Sequence, residues 1–483
     1  MKLSLLRVAA ILLVFAVPAF GQLAGSGLQN LNLDFAGGGA RAEGMGKAYI
    51  GLSDGVTGGS WNPAGMYMHD TPMLGISYGM LVPRGKTSTT FFSNFTSQDH
   101  TGTFNKITSL NFLAPIRIKG HKFVGSFNYT RNYDEFTTQA NKVTSVLPAF
   151  IPVPNFGITL LNEDTLNYST SNNYTEMQGG LYTINLGFGT RLYKKISFGV
   201  SANIYTGRIV EIVSAVDSLD DVQTPDITFN QNALYVFGGR VLDSIGFTGV
   251  NFNIGLKYNG DKLTAGLLMR TPLSLGAKNE LTSTQTLYVN GNLIADRSGT
   301  VLSPKINPPL TKYEMPMMLA AGFGYKVSEN LLVALDVEYR GFSNSTVKVR
   351  DSLIISSTGD NVEFYTDFDP DTLASMQWKN AFVVRVGGEY MFSTGFGQIP
   401  LRGGFGYVPV PASAIELNNG TSSQANLNFS VGSGIHWEQI YLDLSYTYTL
   451  RDDTFYDAFY QELVFIDREY RNHTINMSFT GYF

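Results

Sequence analysis

The ten residues LLVALDVEYR, Leu331 to Arg340, put Leu331, Val333, Leu335, Val337 and Tyr339 on one face of an extended chain and Asp336, Glu338 and Arg340 on the other. Charges at alternate positions of an apolar run rule out a strand buried on both faces, and a period of two rules out a helix. The arrangement recurs. From Ala381, the row Phe382, Val384, Val386, Gly388 and Tyr390 opposes Arg385 and Glu389. In IYLDLSYTY, Ile440, Leu442, Leu444, Tyr446 and Tyr448 oppose Tyr441, Asp443, Ser445 and Thr447. The ending NHTINMSFTGYF sets Ile475, Met477, Phe479 and Phe483 against Asn472, Thr474, Asn476, Ser478 and Thr480. A strand with lipid on one side and a polar lumen on the other reads this way.

Marking every such segment gives fourteen candidates, near residues 71–81, 107–118, 121–133, 178–192, 195–209, 248–260, 262–275, 313–326, 330–343, 381–392, 399–410, 426–437, 439–452 and 471–483. An even number is what a bacterial membrane barrel requires. The connections sort by length. Tight turns are expected at Lys119 and Gly120, at Tyr193 to Lys195, around Gly260 and Asp261, at Ser328 and Glu329, and at Glu438. The other links, such as residues 134–177, 210–247, 276–312 and 344–380, run to tens of residues. Short inner turns alternating with long outer loops distinguish an outer-membrane barrel from a secreted sandwich.

Composition agrees. Charged residues are 15% of the chain, against roughly 25% in soluble domains, while there are 33 Phe and 26 Tyr. The opening MKLSLLRVAAILLVFAVPAFGQ has Lys2 and Arg7, an apolar run and small residues before a cut, so residues 1–21 read as a secretory signal peptide. No later stretch of about 18 uninterrupted apolar residues offers a membrane helix. With Lys2 and Arg7 removed, 32 basic residues face 39 acidic ones, and nucleic acid is not an expected partner. The chain has no cysteine, so neither a lipid-anchored cysteine nor a disulfide framework is available.

Residues 22–70 show no alternation and begin at the inner mouth of the barrel, residues 71–483. A plug folded into the lumen is the economical place for them. Their sequence from Gly37, GGGARAEGMGKAYIGLSDGVTGGSWNPAG, contains a Gly-Lys pair at Gly46 and Lys47. A phosphate-binding loop would need a glycine where Arg41 stands and a hydroxyl where Ala48 stands, so no nucleotide, and no other cofactor, is expected.

The segment Gly39-Ala-Arg-Ala-Glu-Gly-Met-Gly, the Asp54 that follows and above all Asn62-Pro63-Ala64-Gly65 resemble the N-terminal hatch of the FadL/TodX family of outer-membrane transporters. VNFNIGLKYNGDKLTAGLLMRTPLSLG, MPMMLAAGFGYKVSENLLVALDVEYRGFS, VVRVGGEYMF and IPLRGGFGYVPVP resemble successive strands of that family, in order. The resemblance implies a fourteen-stranded barrel with a small hatch in its lumen. It also implies passive uptake of hydrophobic compounds, long-chain fatty acids first, with lateral release after hatch movement. Related barrels act as shuttles in a secretion system, so a protein-binding barrel is the alternative reading. The expected partners are a hydrophobic small molecule and outer-membrane lipid, with the protein a monomer.

Three groups of candidate residues follow. Ser145 to Leu161, SVLPAFIPVPNFGITLL, is an apolar stretch in an outer loop, and Pro148, Pro152 and Pro154 exclude a helix or central strand. Phe150, Ile151, Val153 and Phe156 would capture ligand there, or the loop would fold over the rim to bury them. Alternation sends Lys257, Arg270, Arg340, Arg385 and Arg402 to the lumen with Asp336, Glu338 and Glu389. The arginines would hold a ligand carboxylate, or the charges would pair with one another and with the plug. Asn62, Pro63, Ala64 and Gly65 form a rigid corner or a gate, since Pro63 fixes its own φ and holds Asn62 extended. Gly125, inside a strand, is a candidate kink. The five histidines, His69, His100, His121, His436 and His473, match no zinc or nucleophile motif, so neither a metal nor an enzyme activity is expected.

Overall fold

The computed structural model describes residues 37–91, 94–147, 167–220, 235–289, 292–302, 311–349, 354–356, 361–363, 373–375, 379–410, 425–459 and 462–483. Residues 1–36, including the signal peptide read from the sequence, and the capture candidates Phe150, Ile151, Val153 and Phe156 lie outside them.

Fourteen wall strands form one antiparallel barrel. They are β1 Met73–Val82, β2 Phe104–Ile118, β3 His121–Leu147, β4 Asn167–Tyr193, β5 Ile196–Asp220 and β6 Tyr235–Asn259. β7 runs Leu263–Arg270 and on through Leu273–Val289, and β8 runs Thr311–Met315 and on through Met318–Lys326. They are followed by β9 Leu331–Arg340, β10 Ala381–Thr394, β11 Gly397–Pro409, β12 Ala425–Trp437, β13 Ile440–Phe459 and β14 Glu462–Tyr482. Each pairs with the next, and β14 closes on β1 from Met73↔Tyr482 to Val82↔His473. Closure leaves no unpaired edge in the bilayer, the condition for a sheet to survive there. Each of the fourteen segments marked in the sequence is a wall strand.

The faces are those the alternation specifies. On β9, Val333, Leu335 and Val337 are exposed on the outer surface while Asp336, Glu338 and Arg340 are buried. Phe382, Val386 and Tyr390 point outward from β10, and Leu442, Leu444 and Tyr446 from β13. The tight turns fall at the expected places. At one of them Lys119 and Gly120 both take positive φ, 49° and 81°, which suits the twist of a two-residue hairpin. Tyr193, Tyr258, Tyr325, Phe392, Phe396 and Trp437 are exposed beside these turns and form an aromatic girdle at the inner rim. An apolar belt with such a girdle identifies a transmembrane barrel of the outer-membrane type. Its two ends meet at that rim, where the Phe483 N–H donates to the Pro72 carbonyl at 3.0 Å.

The outer links differ from the expectation of long loops. β3 and β4 stay paired from Phe123↔Thr190 to Leu147↔Asn167, and β5 and β6 stay paired up to Leu219↔Tyr235. At about 3.3 Å per residue a 27-residue strand spans roughly 90 Å, far more than the membrane needs even when tilted. Along this stretch FTTQANKVTS drops the apolar row but keeps β-branched residues, which favour strand pairing. The ladder's break in β3 falls between Arg131 and Tyr133, not at Gly125.

Candidate functional site

Residues 37–69 lie against the inward faces of the wall. They form two short helices, α1 Ala40–Gly44 and α2 Gly58–Trp61, then a 3-10 helix over Pro63–Met68. None of these is long enough to be stable alone, and packing holds them. Ala42, Met45, Ala48, Tyr49, Leu52 and Trp61 form one buried cluster with Ala334 of the wall, and Val56 and Met66 another with Met73, Leu113 and Val124. Gly46 and Lys47 make a left-handed turn, with φ of 64° and 63°. A Cβ on Gly46 would meet the backbone of Gly404 and Phe405, so this pair serves close packing.

Asn62 to Gly65 form the tightest corner. Asn62 is extended, with φ −139° and ψ 107°, as a residue before proline should be, and Pro63 opens the 3-10 helix. The Asn62 Oδ1 caps that helix by accepting the Ala64 N–H at 3.2 Å. Its Nδ2 donates to the carbonyls of Leu256 on β6, at 3.2 Å, and Leu267 on β7, at 3.4 Å. Ala64 is fully buried, and a Cβ on Gly65 would overlap the Ser53 carbonyl oxygen.

Facing this corner are glycines. A Cβ on Gly189 of β4 or Gly199 of β5 would strike Pro63, one on Gly255 of β6 would strike Asn62, and one on Gly266 of β7 would strike Ile50 and Asn62. Gly322, Gly387, Gly404 and Gly432 continue this lining round the other wall, against Gly51, Met45, Gly46 and Gly44. Sequence reasoning missed this belt. Its signal was glycine at inward positions of otherwise good strands, where a close backbone approach is the usual cause.

The charged side chains divide into pins and pairs. Asp336 of β9 accepts the backbone N–H groups of Tyr49 at 2.6 Å and Ile50 at 2.7 Å. Lys257 of β6 donates to the carbonyls of Leu52 and Ser53. Glu389 of β10 takes a two-pronged contact from Arg41, at 3.0 and 2.9 Å, and a third from Arg402 of β11 at 2.6 Å. Arg402 also pairs with Asp443 of β13 at 2.6 Å, and Arg41 reaches Asp54 at 2.9 Å. Glu338 lies between Arg340, at 2.7 Å, and Arg385, at 3.3 Å. Arg270 is buried on the inner face of β7, opposite Met318 of β8. Buried charges of this kind persist only when paired. Burial pushes the Asp54 carboxyl up, but Arg41, Lys257 and the Tyr49 hydroxyl outweigh it and hold Asp54 well below the ordinary range. Among the described residues no three His, Cys, Asp or Glu side chains are grouped as metal ligands.

A neutral arc faces this charged half. Asn111, Asn128, Asn185, Asn203 and Asn251, on five successive strands β2 to β6, are direct register partners. Nδ2 of Asn128 donates to Asn185 at 3.1 Å, Asn185 to Asn203 at 2.6 Å, and Asn203 to Asn251 at 2.8 Å. The Ser201 hydroxyl donates to the Gly59 carbonyl at 3.2 Å, so α2 lies over the arc. A cavity of about 270 Å³ lies between the inner segment and the wall of β1, β2, β13 and β14, where Arg41, Val56, Met73, Asn111, Ser478 and Tyr482 are among its lining.

The chain resembles several solved barrels over nearly its whole length. The Pseudomonas putida toluene transporter TodX matches with a TM-score of 0.54 and 15% identity, covering 93% of this chain and 99% of that one. A Pseudomonas aeruginosa FadL homologue matches at 0.52 and 13%, covering 92% and 98%. The Ralstonia pickettii toluene transporter TbuX matches at 0.50 and 13%, covering 93% and 99%. At such identities the likeness establishes the fold alone. No curated protein matches the sequence. The family model described as BamG matches residues 132–435, from β3 to β12. That match spans more than half of the chain, which therefore belongs to the BamG family, on a FadL-like barrel of fourteen strands.

Proposed function

We propose that this barrel is a passive outer-membrane channel for hydrophobic compounds and that residues 22–70 are its hatch. The observation that carries the reading is how the inner segment is held. Side-chain pins from Lys257, Asp336 and Glu389 and a glycine-lined wall hold it by non-covalent contacts, so it can move without unfolding the barrel. The likeness to TodX and TbuX, described as toluene transporters, supports the ligand class. Long-chain fatty acids are the first compounds to test. Arg270, Arg340, Arg385 and Arg402 remain candidate carboxylate ligands, each through exchange of its present partners. Phe150, Ile151, Val153 and Phe156 are the proposed capture site.

Hatch movement can be tested directly because the chain has no cysteine. A Cβ on Gly38 would lie 3.1 Å from the Ser109 Cβ of β2, within a few tenths of an ångström of disulfide geometry, so Gly38→Cys and Ser109→Cys can be joined by oxidation. Cells carrying the oxidised pair are expected to lose uptake of labelled fatty acid and toluene and to regain it on reduction. Equal uptake in both states, or in cells without the protein, would overturn the channel. A protein partner that co-purifies while no compound crosses would instead support a protein-binding barrel.

A further inference from the structure

The inner mouth of the barrel carries cations side by side. Arg117 of β2 and Lys122 of β3 are direct register partners, and the pairing Phe123↔Thr190 sets Lys122 beside Arg191 of β4. They continue the inward faces of Leu113, Val124 and Gly189, which pack against the inner segment. Like charges directly opposite on neighbouring strands cost stability unless something negative faces them. In a chain of net charge −5, the row runs against the balance of the whole molecule.

The inner segment offsets part of this charge. The Lys122 ammonium lies 4.6 Å and the Arg191 guanidinium 5.7 Å from the centroid of the Tyr67 ring. The Asp70 carboxylate, where the segment joins β1, accepts from Lys122 at 2.9 Å and lies 3.7 Å from Arg117. The Lys122 hydrogen bond holds the Asp70 carboxyl below its ordinary range, so a carboxylate placed here keeps its charge. A single carboxylate thus serves the row, and among the described residues Arg191 has no carboxylate partner.

The neighbouring turns enlarge the excess. Lys119 lies in the turn between β2 and β3, and Lys194 and Lys195 lie in the turn between β4 and β5, all exposed. Lys195 pairs with Asp261 at 3.0 Å, which leaves Lys119 and Lys194 beside Arg191 without a carboxylate among the described residues. The turns after β8 and β12, by contrast, carry Glu329 and Glu438 against Lys326. The mouth is therefore polarised, and its field draws an anion to the side of β2 to β5. Tyr67 and the exposed Met68 end the 3-10 helix at this mouth and offer apolar contact to a carbon chain behind a charged head.

We propose that Arg117, Lys122 and Arg191, at the inner mouth of the barrel, form a binding site for an anionic head group, a phosphate or a carboxylate, with Asp70 as the internal carboxylate that the ligand joins or displaces. Guanidinium forks and an ammonium on one row suit a phosphate best, because its several oxygens reach more than one donor. The head group belongs either to an amphiphile in solution or to a phospholipid of the inner leaflet. The site goes beyond the channel reading, since it is defined by binding at the mouth and requires no passage through the barrel.

The test titrates octyl phosphate calorimetrically into the full-length barrel in phosphatidylcholine nanodiscs, with the heat of empty nanodiscs subtracted. The native protein should bind it in preference to octyltrimethylammonium. Arg191→Gln, which removes a cation without stranding a carboxylate, should weaken binding about tenfold. Asp70→Asn removes the internal competitor while keeping every cation, and should tighten binding severalfold. A row that serves only to hold Asp70 would give weaker or unchanged binding in Asp70→Asn and no effect in Arg191→Gln, and either result overturns the site. Equal binding of the cationic amphiphile, or no binding of octyl phosphate, overturns it as well. Nanodiscs containing phosphatidylglycerol separate the two sources. If the apparent affinity for octyl phosphate falls in the native protein but not in Arg191→Gln, the head group is a phospholipid's; an unchanged affinity assigns the site to a soluble amphiphile.

Discussion

Asn62 performs three tasks with one carboxamide: it caps the 3-10 helix, reaches the Leu256 carbonyl and reaches the Leu267 carbonyl. Asn62→Ala leaves the Ala64 N–H and both wall carbonyls without that partner, a loss of about 1–3 kcal/mol for a buried polar group. Amide exchange across residues 51–66 should accelerate correspondingly, while the barrel keeps its resistance to SDS at room temperature. Loss of that resistance would mean the corner is needed for assembly. Gly199→Val acts from the other side, by driving a side chain into Pro63, and should displace the same segment without removing a hydrogen bond. The corner itself was legible, because Asn before Pro at a helix start is a local rule. Its grip on the wall was not, since Leu256 and Leu267 lie some two hundred residues away and offer backbone atoms, which carry no sequence signal.

At the scale of elements, His69 joins the end of the 3-10 helix to the loop before α2 by accepting the Gly55 N–H on Nε2 at 2.6 Å. That contact requires a neutral ring. Burial lowers the His69 pKa; Asp54 opposes the shift, and Lys257, Lys122 and Arg41 add to it. A released histidine takes up its proton near pH 6.5, and the packed one only at lower pH, so the released state binds more protons between those limits. The packing is therefore fully stabilised above about pH 6.5 and weakened as pH falls below it. Asp54 behaves differently: its pKa is depressed, so its contribution is full above the ordinary carboxylate pKa and is lost only in stronger acid. The protection factor at the Gly55 amide, its exchange rate corrected for the intrinsic pH dependence, should fall between pH 6.5 and 5 in the native protein and be flat in His69→Gln. A flat native profile would refute the role. Elements were readable to different depths. Within the bilayer the two faces differ and alternation marks each strand. Over residues 134–147 the alternation is lost, and only the pairing partners, not the pattern, make the segment a strand.

For the whole molecule, the two halves of the lumen hold the inner segment differently. The wall of β6, β9, β10 and β11 meets it with formal charges, and the wall of β2 to β6 meets it mainly with carboxamides, hydroxyls and glycines. Alternation alone assigned Lys257, Asp336 and Glu389 to the lumen; that they point at backbone groups of residues 49–53 or at Arg41 depends on how the chain folds back inside the barrel. A substitution and a deletion separate the roles of charge and barrel. Glu389→Gln removes one partner from a buried set and leaves Arg41 and Arg402 short of a counter-charge, a change of about 3–5 kcal/mol that should loosen the inner segment. Removing residues 37–69 altogether is the larger cut with the smaller expected cost to the wall. Closure is made by β1 and β14 alone, and the charges that were buried under the segment become hydrated in an open lumen, so their desolvation penalty disappears. The shortened barrel should still assemble and migrate as a folded, heat-modifiable band, and its single-channel conductance in planar bilayers should exceed that of the intact protein many-fold. Assembly that fails without residues 37–69 would make them part of the folding core, and unchanged conductance would mean that something else closes the lumen.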